Sequence, residues 1–511
     1  MHDTKNSLTR RTALTFALFF ALALVFQVET LLIPPRSDSA AWLFMGARQS
    51  AGQMPGRDLW DNKLPLIYLI GRCAMGSEHP QVFLWMIEAM ATAVGALAIV
   101  ALLSGQTNHH TGFSPMQVAK KENASGLLAG VLLCILSGAP SYHAGGYMTE
   151  IYSMPSAAVA VYLSYRAMHA KYKILTGMAA GLAWTLAVSF RLPMGLAAVT
   201  LTGYFTVFAC PGRRLHTLAA HIIGAMFGLL VVMIHPMVAG YTMDSINAAL
   251  LWPTGMTGAH ARGPLTLSTT ARLADFAQDV AKLGWLHVAA IAGLAIAYRS
   301  SRPMLAIVAG LWYVTALASA ALGWASYAHY QYVAFAPCAL ACGLLTTHTG
   351  ERRARRIAVA LVGLTGLVVA GQNGKELSRN RSAEGHSKRT SVVQFIHRHT
   401  KPEETVYIWA WGRSAELLYK VDRPPGNRHF LGHAYFDMDL ILFEEMVEEF
   451  LAGPPRWVVE DRDRDDPSLT GVSRSDWGRS YPDLIKLQKY VRQQYTQEAA
   501  FGNYIIWRYR N

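Results

Sequence analysis

Charged residues are scarce in this sequence. Only 15% of the 511 residues are Asp, Glu, Lys or Arg, whereas an ordinary soluble domain carries roughly 25%. Hydrophobic residues make up 52% of the chain, and its mean hydropathy is +0.21. Because the depletion of charge extends over most of the length, we interpret lipid as the main solvent of this chain.

Cysteine is also rare, and several catalytic motifs are missing. The five cysteines form neither metal-type pairs nor a redox CxxC, which argues against a disulfide framework and favours small buried apolar residues. No GxxxxGK[ST] loop, nucleophile elbow or HExxH occurs, which argues against an ATPase, a serine hydrolase and a zinc protease. The pairs His109/His110 and His429/His433 lack Cys or acidic ligands at a recognised spacing, so we interpret them as solvated or core residues.

The basic residues of the chain are clustered. The formal net charge is +13, from 46 Lys and Arg against 33 Asp and Glu. A basic balance can indicate nucleic-acid binding, but here the basic residues lie in short groups between apolar runs. That pattern is typical of cytoplasmic loops in a membrane protein, where Lys and Arg set the orientation. We therefore expect membrane lipid, and no nucleic acid, as a partner.

Eleven apolar runs are candidates for membrane spans. A helix needs about 20 apolar residues to cross the hydrocarbon core. Counted from a cytoplasmic N-terminus, every inward segment carries at least a basic pair, which supports both the count and the orientation. The sequence thus predicts a polytopic α-helical membrane protein of about 11 transmembrane helices, with its C-terminus outside. The predicted spans are 12–33, 81–104, 123–140, 155–168, 175–190, 194–210, 217–238, 283–298, 304–322, 331–347 and 357–372.

The composition changes abruptly near residue 372. No later run is long enough to span, and strand-like stretches alternate with helix-like ones. This alternation predicts a small α/β domain on the outer face. The chain therefore divides into a transmembrane module, 1–372, and an extracytoplasmic domain, 373–511. Its predicted strands are Thr405–Trp411, Arg456–Glu460 and Tyr504–Arg508, and its predicted helices are Ala415–Lys420, Leu440–Leu451 and Leu484–Gln497.

The first outward loop, from Pro34 to Pro80, carries a dense set of polar residues. Asp38 directly follows the first span, so we expect it at the membrane surface. A helical stretch and a Gly/Pro turn come next, followed by the polar run Arg57–Lys63. One interpretation is a solvated loop on the lipid headgroups, with interfacial aromatic residues. The other is one wall of an active site.

The run from Asp38 to Tyr68 resembles the first periplasmic loop of GT-C glycosyltransferases, especially bacterial enzymes similar to protein O-mannosyltransferases and the lipid A aminoarabinose transferase. In that group an acidic residue ends the first span, and a small-Gly-x-x-Pro turn, an aromatic/Asp cluster and a Lys-x-Pro element follow. The sequence departs from the pattern at Ser39, where many relatives have Glu, so a second carboxylate must come from elsewhere. The matching residues are Asp38, Gly52, Pro55, Asp58, Trp60, Asp61, Lys63, Pro65 and Tyr68.

Three other outward segments extend the resemblance. Thr149-Glu150 in the second outward loop matches an acidic residue that in the family often follows Thr or Ser. Arg191 lies at an outward turn, against the inward bias of basic residues, where family members often carry Lys or Arg. His329-Tyr330 is similar to an HY…P element that enters a late span. The structural alternatives are an interfacial carboxylate, a snorkelling arginine and an aromatic belt.

The resemblance implies a glycosyltransferase of the GT-C fold that moves a sugar from a polyprenyl phosphate to a hydroxyl group of a glycan, lipid or protein. The reaction would take place on the outer face of the bacterial inner membrane. Asp38 would be the general base, and Glu150 would assist it or position a substrate. The donor phosphate would be bound by Lys63, Arg191 and His329, with Asp58, Trp60, Asp61 and Tyr330 supporting the loops.

The same residues also bear on the stereochemistry of the reaction and on its cofactor. A single base that activates the acceptor for attack opposite the leaving group implies inversion. The sequence assigns no cofactor; some GT-C enzymes use a divalent cation, and Asp38, Asp58, Asp61 and Glu150 could supply oxygen ligands, but no spacing demonstrates a site.

A polytopic transporter or lipid flippase is the main alternative function, and a membrane scaffold is the third. The enzyme is favoured because the unusual charges gather at outward loop junctions.

Overall fold

The computed structural model describes residues 2–104, 115–168, 172–209, 211–251, 269–300, 302–321, 328–347, 351–381, 384–409, 414–430, 440–462 and 482–510. His109, His110 and His433, which the sequence predicts to be solvated or core residues, lie outside these ranges.

Over the described residues, every predicted span falls mainly on helix, which is the structure that lets backbone groups in lipid bond to one another. The helices up to residue 381 are α1 (His2–Phe26), α2 (Val28–Leu32), α3 (Ser37–Ser50), α4 (Leu66–Met75), α5 (Pro80–Ser104), α6 (Pro115–Leu136), α7 (Pro140–His143), α8 (Thr149–Ala167), α9 (Lys173–Phe190), α10 (Gly195–Tyr204), α11 (Arg214–Ala239), α12 (Thr242–Ile246), α13 (Thr269–Ala281), α14 (Gly284–Tyr298), α15 (Pro303–Ala321), α16 (Phe335–Thr347) and α17 (Glu351–Arg381). Leu192–Met194, Pro211–Arg213 and Ala328–Ala334 are 3-10 segments, and Phe205–Ala209 and Asn247–Leu251 are π-helical.

Several of these helices are suited to cross a membrane. Among the described residues, five are long and apolar enough: Pro80–Ser104, Lys173–Phe190, Arg214–Ala239, Pro303–Ala321 and Arg352–Ser378. A bent pair, Leu273–Ala281 and Gly284–Tyr298, turns by 83° at its break and makes a sixth if it forms one span. The prediction of a polytopic helical membrane protein is confirmed, whereas the count of eleven spans and their orientation stay predictions.

The fourth predicted span differs from the helix that contains it. The prediction begins at residue 155, whereas α8 begins at Thr149. The polar residues Thr149, Glu150 and Ser153 interrupt the apolar run, although a helix accommodates them once they are buried against polar partners. Glu150 therefore lies in the first turn of α8, not in the loop before it.

The chain divides into two compact units. The first comprises Met1–Pro34, Gln81–Ile234 and Thr269–Ser378. Within it, α9 and α11 approach closely through small residues: a Cβ at Gly181 would overlap the carbonyl of His221, and one at Gly224 would overlap the carbonyl of Met178. Such contacts between small residues replace the hydrophobic effect as a source of helix association in lipid.

The second unit comprises Pro35–Pro80, His235–Ser268 and Arg379–Asn511. It groups the first outward loop with the C-terminal region. The predicted domains, 1–372 and 373–511, stay a prediction, since the two compact units have different boundaries.

A mixed sheet lies in the C-terminal region of this second unit, which confirms the predicted α/β character. The strand order is β1-β2-β4-β3; β1 pairs with β2 in parallel, and the other neighbours are antiparallel. The buried core between sheet and helices includes Tyr407, Phe450 and Tyr495. The strands are β1 (Val406–Trp409), β2 (Trp457–Asp461), β3 (Tyr495–Phe501) and β4 (Tyr504–Tyr509), and the helices are α18 (Glu384–His399), α19 (Ser414–Val421), α20 (Leu440–Ala452) and α21 (Pro482–Gln494).

The predicted helix over Leu484–Gln497 is wrong at its C-terminal end. Helix α21 ends at Gln494, and β3 begins at the next residue and pairs with β4. The polar sequence of β3 resembles the helix before it, because most of the strand is exposed and has no apolar alternation to mark it. Its position is set instead by the tight turn at Gly502, where φ is +62°, and by pairing with the buried strand β4.

Candidate active site

The predicted base, Asp38, stands at the exposed start of α3. Its carboxylate lies in the first turn of the helix, where negative charge interacts favourably with the helix dipole. The next residues of the helix, from Ala40 to Met45, are buried. Ser39, the position where many GT-C relatives have Glu, is also buried. The fold therefore presents Asp38 at the edge of a packed helix.

Asp61 is the buried anchor of the same loop. Its Oδ2 accepts hydrogen bonds from Trp42 Nε1 and from the Tyr68 hydroxyl, both at 2.9 Å, and its Oδ1 accepts one from the Asn62 amide at 2.8 Å. Burial raises the pKa of this carboxyl, whereas the charge of Lys63 and the hydrogen bonds from Tyr68 and Asn62 lower it, and the charge of Asp38 adds a smaller rise. Asp61 thus joins α3 to α4 and is close enough to Asp38 for their charges to interact.

Asp58 closes the turn that precedes this anchor. Its Oδ2 accepts hydrogen bonds from the Met54 amide at 2.8 Å and from the Arg57 guanidinium at 2.7 Å. The hydrogen bond from Arg57 lowers the pKa of Asp58. Gly52 and Gly56 have φ values of +88° and +84°, which other residues rarely adopt. The backbone conformation of the turn therefore explains why the motif has glycine at these two positions.

Lys63 lies half-buried at the end of the polar run. Its ammonium donates a hydrogen bond to Asn62 Oδ1 at 3.0 Å, and its backbone amide donates one to the Tyr68 hydroxyl at 3.2 Å. The same hydroxyl donates a hydrogen bond to the Asp61 carboxylate, so one tyrosine binds the residues on both sides of Asn62. Pro65 follows and leads into α4, which explains the Lys-x-Pro spacing: the cation is held immediately before a helix.

Trp60 connects the loop to the C-terminal region of the same unit. Its amide donates a hydrogen bond to the carbonyl of Arg428 at 3.0 Å, and its ring stacks on His429 with centroids 6.2 Å apart. His429 is fully buried, and burial together with Arg428 lowers its pKa to about 3. The interpretation of His429 as a core residue is confirmed.

Two further contacts reinforce this attachment of α3. The Phe44 and Phe430 rings lie 5.3 Å apart, and Arg48 forms an ion pair with Asp422 at 2.7 Å. The C-terminal segment around residues 422–430 therefore supports the first loop.

In the first unit, Glu150 and Arg191 form a buried ion pair. Only 2% of the Glu150 side chain and 6% of the Arg191 side chain are exposed. Arg191 Nη1 donates to Glu150 Oε1, Nη2 donates to the carbonyl of Ser319 at 3.3 Å, and Thr149 Oγ1 donates to Glu150 Oε2 at 3.1 Å. Arg191 directly follows α9 and has an extended backbone conformation, so the helix ends at this residue.

The Arg191 guanidinium also lies over the ring of Tyr330, 3.9 Å from its centroid. His329 packs edge-on against the same ring, with centroids 4.7 Å apart, and is half-buried in the 3-10 segment Ala328–Ala334. The structure thus brings Glu150, Arg191 and Tyr330 together, with His329 beside them, although they come from three separate segments of the chain.

A second buried polar cluster in this unit was missed by the sequence analysis. His143 lies between two carboxylates: its Nε2 is 3.3 Å from Glu88 Oε2, and its Nδ1 is 3.6 Å from Glu29 Oε2. Burial lowers the pKa of His143, but the hydrogen bonds and charges of the two glutamates outweigh it and raise the value to about 9. Thr30 Oγ1 donates to Glu88 Oε2 at 2.7 Å.

The signal for this cluster was present in the apolar runs. Glu29 lies in the first predicted span and Glu88 in the second, and a carboxylate in such a run is costly unless it has a buried partner. Unusual charges therefore lie within the apolar part of the chain as well as at the loop junctions.

The loop from Ala144 to Tyr147 lies directly over this cluster. Four consecutive residues have positive φ: Ala144 (53°), Gly145 (86°), Gly146 (86°) and Tyr147 (55°). A Cβ at Gly146 would overlap the Thr30 side chain, so glycine is required there by space as well as by conformation. The Tyr147 amide donates to Glu88 Oε1, which holds the end of the loop immediately before α8.

The predicted site residues thus fall into two groups, one in each unit. Asp38, Asp58, Trp60, Asp61 and Lys63 belong to the second unit, and Glu150, Arg191, His329 and Tyr330 belong to the first. Over the described ranges, no three His, Cys, Asp or Glu side chains form a group that could hold a metal ion.

Solved structures share the fold of the whole chain. ArnT from Cupriavidus metallidurans bound to undecaprenyl phosphate aligns with a TM-score of 0.57 and 11% identity, over 96% of this chain and 97% of that one. The archaeal oligosaccharyltransferase AglB from Archaeoglobus fulgidus, in complex with an inhibitory peptide and a dolichol-phosphate, aligns with a TM-score of 0.53 and 11% identity, over 96% and 74%. No family model and no curated protein sequence matches. The predicted GT-C fold is confirmed.

Proposed function

We propose that this protein is a glycosyltransferase that moves a sugar from a polyprenyl-phosphate donor to a hydroxyl acceptor on the outer face of the bacterial inner membrane. The observation that carries the proposal is the shared fold over nearly the full length of ArnT, a protein whose structure is bound to undecaprenyl phosphate. The residues that resemble the GT-C loop motif stand where the fold gives them defined partners, which adds support from the chemistry of the site.

The proposed reaction is a displacement at the anomeric carbon of the donor sugar. Asp38 takes the proton of the acceptor hydroxyl, whose oxygen forms the new bond to the anomeric carbon. The bond from that carbon to the phosphate oxygen breaks, and the polyprenyl phosphate leaves with the electron pair. The acceptor is a glycan, a lipid or a protein. Attack opposite the leaving group inverts the anomeric centre. The exposed position of Asp38 at the start of α3 suits a base that has to reach an external acceptor.

Cationic side chains stabilise the charge that develops on the departing phosphate. We assign this role to Lys63, Arg191 and His329. The guanidinium of Arg191 is oriented in advance by Glu150 and by the ring of Tyr330, so little reorganisation is needed when an anion arrives. In this assignment Glu150 positions the arginine, while Asp58, Trp60 and Asp61 hold the loop that carries Lys63. A divalent cation would take its oxygen ligands from carboxylates of these loops.

Asp38→Asn tests the assignment of the base. Membranes from cells that produce the wild type, Asp38→Asn or no protein are compared by mass analysis of surface glycans, which identifies donor sugar and acceptor together. Glu403→Gln is the matched control, because it removes another exposed carboxylate from the same unit. We expect the added sugar with the wild type and the control and its loss with Asp38→Asn. Transfer at the wild-type rate by Asp38→Asn would show that the base is wrong.

A transporter or lipid flippase is the second candidate, and one observation favours it. Glu29 and Glu88 are buried within the apolar part of the chain, and ionisable residues in such positions mark substrate or proton pathways in many membrane proteins. Purified protein in liposomes distinguishes the two functions. Movement of polyprenyl phosphate between leaflets without any sugar transfer would favour the flippase and refute the enzyme.

A further inference from the structure

Glu88 occupies an unusual position in α5. It is the ninth residue of a 25-residue apolar helix, and its side chain is completely buried. Removing a carboxylate from water is costly, and such a group persists where strong hydrogen bonds and an opposite charge compensate it. The role of Glu88 can therefore be inferred from the groups that bind its carboxylate.

Both oxygens of the Glu88 carboxylate bind parts of one loop assembly. Oε1 accepts the backbone amide of Tyr147, the last residue of the positive-φ loop. Oε2 accepts the Thr30 hydroxyl at 2.7 Å and lies 3.3 Å from His143 Nε2. His143 precedes the loop and Tyr147 ends it, so the Glu88 carboxylate contacts the residues at both ends of the loop. A charged acceptor makes such bonds stronger than a neutral one does.

The same face of α5 reaches a second site segment. Thr92, one turn after Glu88, accepts a hydrogen bond from Gln27 Nε2 at 2.9 Å, and this amide also donates to the Tyr332 hydroxyl at 3.5 Å. Tyr332 belongs to the 3-10 segment that carries His329 and Tyr330. The polar residues Glu88 and Thr92 of α5 therefore contact, directly or through Gln27, the loop before α8 and the 3-10 segment Ala328–Ala334.

Four residues with positive φ do not hold their conformation by themselves. Two of them, Ala144 and Tyr147, carry side chains that disfavour the left-handed region, so the loop is strained unless tertiary bonds fix it. Thr149 and Glu150 follow within three residues of Tyr147 and begin α8. The Tyr147 amide therefore lies three residues before the carboxylate that pairs with Arg191.

We propose that Glu88 is a positioning residue, which fixes the Ala144–Tyr147 loop from within the membrane helix and thereby sets the geometry of the Glu150–Arg191 pair. The proposal rests on the proposed function in one respect, namely that Arg191 binds the donor phosphate. Glu88 itself contacts neither donor nor acceptor in this assignment.

Glu88→Gln tests the proposal, with Glu29→Gln as its matched control. Both variants remove one of the two carboxylates beside His143, but only Glu88 accepts the Tyr147 amide. Hydrogen exchange of the loop peptide, read by mass spectrometry in detergent micelles, reports the fixing of Tyr147. Binding of undecaprenyl phosphate to the same samples reports the consequence for the site.

We expect Glu88→Gln to speed exchange at Tyr147 and to weaken undecaprenyl phosphate binding, each about tenfold or more, since a charge-assisted bond is lost. Glu29→Gln is expected to change neither by more than about twofold. If Glu88→Gln does not fold, Thr30→Val removes one donor to Glu88 and shifts both readouts in the same direction by a smaller factor.

Two results would overturn the proposal. One is unchanged exchange at Tyr147 in Glu88→Gln or Thr30→Val. The other is an equal effect in Glu29→Gln, which would mean that the charge balance around His143 matters and the bond to Tyr147 does not. Failure of the proposed function is recognised separately, because the wild type then binds no undecaprenyl phosphate while the exchange comparison still decides the role of Glu88.

Discussion

The Glu150–Arg191 pair permits a quantitative double-mutant test. Arg191→Met keeps an unbranched side chain of similar length but leaves the buried Glu150 carboxylate without its cation. The variant also loses the bond to the Ser319 carbonyl and the contact with the Tyr330 ring. Breaking a buried pair by removal of one partner costs about 3 to 5 kcal/mol, so we expect a loss of unfolding free energy in this range.

Glu150→Gln should cost less. The carboxamide oxygen still accepts a hydrogen bond from Arg191, so the expected loss is about 1 to 3 kcal/mol. In the double variant neither change leaves an unpaired charge behind. The double loss should therefore be smaller than the sum of the single losses by about 1 to 3 kcal/mol.

Unfolding in mixed micelles, followed by tryptophan fluorescence as denaturing detergent is added, measures all three losses. Ser319→Ala is the matched control, because Arg191 bonds to the backbone carbonyl of that residue and not to its side chain. The control should unfold like the wild type. Additive losses in the double variant would refute the energetic coupling of Glu150 and Arg191.

Three further predictions concern the loops. Gly146→Ala should destabilise the protein by at least about 1 kcal/mol more than Gly145→Ala in thermal unfolding, since both have φ near +86° but only a Cβ at Gly146 would overlap Thr30. The raised pKa of His143 stabilises the fold fully below its ordinary value of 6.5, and that contribution is lost as pH rises through about 9. The unfolding free energy of the wild type should therefore fall over this window and that of His143→Gln should stay flatter; parallel pH profiles would contradict this. Asp61→Asn should lose about 1 to 3 kcal/mol, because its NH₂ group faces buried donors, and unchanged unfolding would contradict the anchor role.

The helical part of the fold was predictable because lipid imposes a strong constraint on sequence. Long apolar runs with few charges can satisfy their backbone in a membrane only as helices, and each run contains one. The exposed strand β3 has no such signature. Its residues Thr496 to Glu498 are polar and exposed, and they become a strand only through pairing with β4.

The candidate site was predictable to the extent that its chemistry lies in short motifs. The turn at Gly52 and Gly56 and the spacing from Asp58 to Pro65 follow from local backbone geometry, so they appear as a pattern in the sequence. The cluster of Glu29, Glu88 and His143 has no local pattern. Its three residues are separated by more than fifty positions each and meet only after the helices pack.

The ion pair between Arg48 and Asp422 has a consequence for biosynthesis. The two residues are 374 positions apart, so the first loop emerges long before its C-terminal support exists. At about 5 to 20 residues per second, translation of the intervening chain takes roughly 20 to 75 seconds. During that time Phe44 and Trp60 lack the partners that later cover them, Phe430 and His429. We therefore expect the nascent loop to stay incompletely packed until the residues around 422–430 have been made.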